Sequence, residues 1–131
     1  MRFDLVRKGV IRVVYEDADE MLPNRQGPLM EAIDRELARG PVALVFTVYS
    51  ARSVDRSVPA YWRGVTKRLA PQLCAMAITS ESLAVRTAAR GFSVANTLSR
   101  NAVSVKAFES EAPAIDWAMD EVARAGAPSS R

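Results

Sequence analysis

The sequence predicts one α/β domain whose elements follow the order β-β-α-β-α-β-α-β-α around a mainly parallel central sheet. Two strand-sized runs, VALVFTV (residues 42–48) and LCAMAIT (residues 73–79), lack polar alternation, which is typical of strands covered on both faces. Between these two runs, apolar residues recur at the spacing of a helix. A length of 131 residues with 49% hydrophobic content fits one domain with a buried core. We expect residues 1–125 to form it and residues 126–131 to form a flexible tail.

The first half of the chain begins with an expected antiparallel hairpin. RFDLVRKGVIRVVYED (residues 2–17) alternates apolar and polar side chains on both sides of Lys8 and Gly9, which predicts two edge strands and a tight turn. GPLMEAIDRELARG (residues 27–40) then has the three-to-four-residue spacing of a helix, with Pro28 in its first turn and Gly40 at its end.

The second half alternates helices with strands. Between the two apolar runs a helix is indicated by a stripe at helical spacing: Val58, Trp62, Val65 and Leu69. A second helix follows residues 73–79, with Ser80 as its expected N-cap. The last strand is predicted at residues 102–108, and the last helix at residues 110–126. Gly64 and Gly91 fall inside helices, where we expect them to permit close packing against the sheet.

The composition excludes several kinds of chemistry. Histidine is absent and Cys74 is the only cysteine, so Ser-His-Asp and Cys-His nucleophiles and histidine-containing metal sites are excluded. Cys74 is interpreted as a core residue, because its apolar neighbours would raise its pKa. We therefore expect no enzyme activity, no cofactor and no metal.

The sequence also gives an expectation of location. No apolar run has the length needed to cross a bilayer, and the first residues lack the apolar segment of a secretory leader. A lone cysteine fits a reducing compartment. We expect a cytoplasmic protein without a membrane span.

The net charge of +3 is unevenly distributed along the chain. Residues 50–106 contain nine cations against two carboxylates, whereas the segments before and after carry a net negative charge. A basic surface of this kind attracts anions or an acidic protein partner. Nucleic acid is the less favoured partner.

The stretch YSARSVDRSVPAYW (residues 49–62) is the first candidate site, because it follows a predicted buried strand at the end where α/β proteins bind ligands. Either Asp55 or Ser57 caps the next helix, or Ser57 accepts a phosphate beside Arg52 and Arg56 at the positive end of that helix. The candidate partner-binding or anion-binding residues are Arg52, Asp55, Arg56, Arg63, Lys67, Arg86 and Arg90. Arg86 and Arg90, four residues apart on the later helix, form either a solvated face or a partner contact.

The order of elements, the apolar strand leading into VDRSV, and the segments AMAITSESLAVRTAARGF and VSVKAFESEAPAIDWA together resemble the STAS-like (SpoIIAA-like) domain family. The resemblance covers residues 3–122. It implies the fold of bacterial anti-sigma-factor antagonists and of SEC14-like small bacterial proteins.

The resemblance also implies a function. Antagonists of that family carry an Asp-Ser-Ser/Thr-Gly pattern whose second hydroxyl residue is phosphorylated by a partner kinase. The matching positions here are Asp55, Arg56, Ser57 and Val58, so Arg56 replaces the first serine and Val58 the glycine. The implied function is a non-enzymatic regulatory interaction domain that binds a kinase or an anti-sigma-like regulator. The alternative is a module that binds a nucleotide or a lipid.

Overall fold

The computed structural model of the chain describes residues 1–98 and 102–126. Its main elements, in chain order, are β1 (Arg2–Arg7), β2 (Val10–Asp17), α1 (Gly27–Leu37), β3 (Val42–Ser50), α2 (Ser57–Leu69), β4 (Leu73–Thr79), α3 (Leu83–Leu98), β5 (Ser104–Phe108) and α4 (Glu111–Gly126). Two short 3-10 turns, Asp19–Met21 and Pro23–Arg25, connect β2 to α1. The expected order of strands and helices is confirmed.

The strands form one sheet in the order β1-β2-β3-β4-β5. β1 is antiparallel to β2, and every other neighbouring pair is parallel. The mainly parallel sheet with an antiparallel N-terminal hairpin is therefore confirmed. Gly9 turns the hairpin with a φ of 81°, and a Cβ at this position would lie 2.6 Å from the carbonyl oxygen of Pro41. The turn thus requires glycine both for its backbone angle and for space.

Helices cover both faces of the sheet, because alternate side chains of a strand point to opposite faces. Leu44 and Phe46 of β3 belong to the larger core, which α1, α2 and α3 cover. Ala43 and Val45 of the same strand belong to the smaller core beneath α4. This two-sided coverage explains why the run at residues 42–48 has no polar alternation.

An ion-pair network holds the start of α4 on the sheet. The Arg12 guanidinium donates from Nη1 to Glu111 Oε1 at 3.0 Å and from Nε to Asp4 Oδ1 at 3.2 Å. Thr47 Oγ1 donates to the other Glu111 oxygen at 2.6 Å. Side chains from β1, β2 and β3 therefore fix the first residue of α4.

Two local expectations about the helices are wrong. Gly64 and Gly91 are exposed, and a Cβ at either would meet nothing within 4 Å, so neither glycine serves close packing. The α3 cap is Ser82, whose Oγ accepts the Val85 N–H at 3.4 Å. Ser80 is buried instead and donates to the Val48 carbonyl at 2.8 Å, which joins the end of β4 to β3.

Two further expectations concern the C-terminal tail and the absence of a membrane span. Gly126 is the last residue of α4, and the rest of the expected tail, residues 127–131, lies outside the described residues. None of the helices in the described part combines the length and the apolar character that a bilayer-spanning segment needs.

Candidate functional site

The loop at residues 51–56 and the first turn of α2 lie at the edge of the sheet where the parallel strands end. β3 ends at Ser50 directly before this loop, and β4 and β5 end at the same edge. The N-termini of α2, α3 and α4 follow these strand ends. The sheet therefore places the candidate residues where α/β folds commonly bind ligands or partners.

Asp55 and Ser57 form a local hydrogen-bonded unit at the start of α2. The Asp55 Oδ1 atom accepts the backbone N–H of Ser57 at 2.9 Å and its hydroxyl at 2.6 Å. The hydroxyl first, and then the backbone N–H, hold the pKa of Asp55 below its ordinary value. Arg56, which lies between them, occupies the N-cap position of α2 and forms no side-chain cap hydrogen bond, so neither Asp55 nor Ser57 is the N-cap residue. Asp55 instead accepts from Ser57, the exposed first residue of the helix.

Cations line one exposed face of α2. Positions 56, 60, 63 and 67 are spaced so that they share one side of a helix, and three of them are basic. We call Arg56, Arg63 and Lys67 the basic stripe. All three are exposed, as is Arg52 in the preceding loop, and none of the four forms an ion pair with a described residue.

The two arginines of α3 are placed differently from each other. Arg86 is half-buried and donates from Nη1 to Glu109 Oε1 at 3.0 Å, on the side of α3 that faces β5. Its Nε atom is buried without a partner among the described residues. Arg90 is exposed and forms no ion pair with the described part of the chain. Of these two arginines, only Arg90 therefore has a free guanidinium for a partner.

A cavity of about 70 Å³ lies between α2, α3 and the sheet. Its lining includes Pro59 and Trp62 of α2, Ala88 and Phe92 of α3, and Met76 of β4. On α3 the lining combines two small residues, Ala88 and Ala89, with the larger Val85 and Phe92. The spacing of these residues places them on one side of a helix, so this part of the lining could have been predicted from the sequence.

A buried polar network lies beside the cavity and was not anticipated from the sequence. Gln26 is fully buried before α1. It accepts the Tyr15 hydroxyl at 2.6 Å and donates to the carbonyls of Glu20 and Leu22 at 2.8 and 2.9 Å. Burial raises the pKa of Tyr15. Because the network satisfies the phenol, the side of Tyr15 that lines the cavity is apolar.

Cys74 is buried against the α4 face of the sheet. Burial raises the pKa of its thiol to about 11, so the thiol stays protonated at neutral pH. The interpretation of Cys74 as a core residue is confirmed. Within residues 1–98 and 102–126, no three potential metal-ligating side chains of Cys, Asp or Glu come together.

The comparison with solved structures concerns the fold. The chain is similar to the crystal structure of an uncharacterized protein of the DUF3478 family with a SpoIIAA-like fold from Shewanella loihica PV-4. The TM-score is 0.56 at 15% sequence identity, and the match covers 89% of this chain and 90% of that one. No protein-family model matches the chain, and no curated protein is significantly similar to it. The STAS-like, SpoIIAA-like fold implied by the resemblance is confirmed.

Proposed function

We propose that this chain is a non-enzymatic regulatory domain that binds an acidic surface of another protein. The observation that carries the proposal is the set of exposed cations on α2 and the loop before it, which have no carboxylate partner among the described residues. The only carboxylate between residues 50 and 69, Asp55, is bonded to Ser57. The positive charge of this surface is therefore directed outward, where it attracts a negatively charged partner.

Phosphorylation of Ser57 is the proposed means of regulation. The hydroxyl is exposed, lies in the first turn of α2, and has Arg52 and Arg56 close in sequence. A phosphate there interacts favourably with the helix N-terminus, replaces the bond to Asp55 with repulsion, and adds nearly two negative charges beside the basic stripe. The added charge weakens binding to an acidic partner. The enzyme that adds it is a serine kinase, and the setting is the cytoplasm.

Binding of a small ligand is the second candidate function. The apolar cavity favours a lipid group over a nucleotide, because the described residues hold no glycine-rich phosphate loop. Its volume of about 70 Å³ is far below the roughly 300 Å³ at which ligand pockets begin. A rise in Tm with added nucleotides or lipids, and with no partner protein present, would favour this candidate.

Charge reversal on matched helices tests the binding proposal. We would purify tagged protein from its own host as wild type, as R63E/K67E on α2, and as R35E/R39E at the end of α1. Each pair is exposed, four residues apart and free of described ion pairs, so the change in charge is the same. We expect quantitative mass spectrometry to show partners lost from R63E/K67E and retained by R35E/R39E. Equal loss or equal retention would contradict the proposal.

The same samples test the proposed regulation. Cleavage after Arg56 and Arg63 releases SVPAYWR, whose only serine is Ser57. We expect a phosphorylated fraction of this peptide when the protein is not bound to its partner. If Ser57 is unmodified under all growth conditions, the phosphorylation proposal is wrong, whereas the binding proposal stands.

A further inference from the structure

The groove between α2 and α3 has one cationic bank. Pro59 of α2 lines the cavity at the floor of the groove. Arg56 lies three residues before Pro59 and Arg63 four residues after it, so both arginines flank Pro59 along the same side of α2. The basic stripe therefore lies along the rim of the groove.

The opposite bank, on α3, carries exposed apolar side chains and one cation, Arg90. Three large apolar side chains of α3 are strongly exposed: Leu83 at 66%, Val94 at 59% and Leu98 at 79%. Their spacing places them on the outer face of the helix, where the exposed Arg90 lies between Leu83 and Val94. Only two other large apolar side chains of the described chain are exposed to a comparable extent, Leu5 and Tyr49, and neither lies on a helix. Val94 and Leu98, one turn apart, form the continuous part of this apolar surface, and Arg90 lies one turn before them.

The floor of the groove has room for one apolar side chain. The cavity of about 70 Å³ is lined by apolar groups of both helices and of the sheet. A water molecule is poorly stabilised there, because an apolar cavity offers no hydrogen-bond partners. An inserted aliphatic or aromatic side chain would fill the space and contact Trp62, Ala88 and Phe92.

We propose that the groove between α2 and α3 binds an amphipathic acidic helix of the partner protein. The carboxylates of this helix lie against the basic stripe, its apolar face lies on α3, and one apolar side chain enters the cavity. The cations of α2 and the exposed apolar side chains of α3 match the two faces of such a helix, and Arg90 offers a further contact to a carboxylate. Helix-in-groove binding is a common mode of recognition. This inference rests on the proposed function, because it specifies the segment that the basic surface recognises.

The probe is a synthetic, fluorescein-labelled peptide about as long as α3. It carries leucines at helical spacing on one face and glutamates beside them, and a control peptide of identical composition has its leucines distributed around the helix. We would measure binding to the full chain by fluorescence anisotropy. We expect the patterned peptide to bind at least about tenfold more tightly than the control, because only its apolar face is continuous.

Two variants locate the binding site. Ala88→Leu fills the cavity, and we expect it to weaken binding about tenfold, as a residue at the centre of an interface can. Ala123→Leu, at an exposed position of α4, is the matched control and should bind as wild type does. Val94→Ser changes an exposed residue of α3, so it leaves the fold intact and should also weaken binding. The inference is overturned if the scrambled peptide binds as well as the patterned one, or if Ala88→Leu and Val94→Ser both bind like wild type.

The partners captured from the host separate this inference from the proposed function. If R63E/K67E loses those partners while Ala88→Leu and Val94→Ser retain them, the basic surface binds protein without using the groove, and this inference alone fails. If none of these variants loses the partners, both proposals fail. If all three lose them and R35E/R39E does not, both are supported.

Discussion

The two faces of the sheet are packed in opposite ways. Beneath α4 the contact is made by alanines that are fully buried on both sides: Ala43, Ala75, Ala77, Ala114 and Ala118. On the other face large side chains such as Phe46 and Trp62 fill most of the space, yet a cavity remains between α2 and α3. Small side chains on both partners allow α4 to lie close to the sheet, whereas the cavity on the other face is lined by small and large side chains together. The cavity between α2 and α3 is therefore a place where a partner could add apolar contacts.

Leucine in place of alanine on each face tests this comparison with the largest expected effect. Ala118 is fully buried among alanines beneath α4, so Ala118→Leu should lower the free energy of unfolding by about 3 kcal/mol through overpacking. Ala88→Leu extends into the cavity and should leave the stability unchanged or raise it. Urea denaturation of both variants measures the difference. Equal destabilisation would show that the two faces are packed alike.

The buried network beside the cavity should show the next largest effect. Gln26→Leu removes the acceptor of the Tyr15 hydroxyl and the donor to two carbonyls, so we expect a loss of about 2 kcal/mol. Tyr15→Phe leaves one buried acceptor without a donor and should cost less. Thermal unfolding of Gln26→Leu and Tyr15→Phe measures the two losses of stability. If Gln26→Leu leaves the free energy of unfolding almost unchanged, burial of the leucine compensates for the lost hydrogen bonds. Apolar packing alone would then stabilise this face of the sheet.

The unit formed by Asp55 and Ser57 should give a smaller effect that is visible mainly in pH dependence. The Asp55 carboxylate is held below its ordinary pKa of about 3.9, so its contribution to stability is present above that value and is lost as the pH falls through the lower folded value. Ser57→Ala removes the first cause of the shift. We expect an NMR titration to show the Asp55 pKa rising toward its ordinary value, and an unchanged pKa would show that the backbone N–H suffices.

The smallest expected effect is a gain in stability on the outer surface of α2. Gly64 is exposed inside the helix, and a Cβ there would meet open space. Gly64→Ala should therefore raise the free energy of unfolding by about 0.5–1 kcal/mol, because alanine has a higher helix propensity and less backbone entropy to lose. A loss of stability in the same urea experiment would imply a close contact of Gly64 with a neighbouring residue.

Much of the candidate site was predictable, because its parts are local in sequence. The loop at residues 51–56, the start of α2 and the spacing of Arg56, Arg63 and Lys67 all follow from one segment of about twenty residues. The bond between Ser57 and Asp55 spans two residues, so it is local too, although only the structure showed that Arg56 takes the N-cap position between them. The pairing of Arg86 with Glu109 spans 23 positions and could not be predicted.

Composition and short-range periodicity were enough to predict the order of strands and helices, the two-sided burial of the central strands and the antiparallel hairpin, and to exclude histidine chemistry. How closely each helix lies on the sheet could not be predicted from them. That distance depends on which side chains from separate segments pack together: Ala75 and Ala118 belong to one core beneath α4, whereas Ala88 and Pro59 line the cavity. Contacts between distant segments are set by the volumes of all the side chains packed there, and no single stretch of the sequence contains that information.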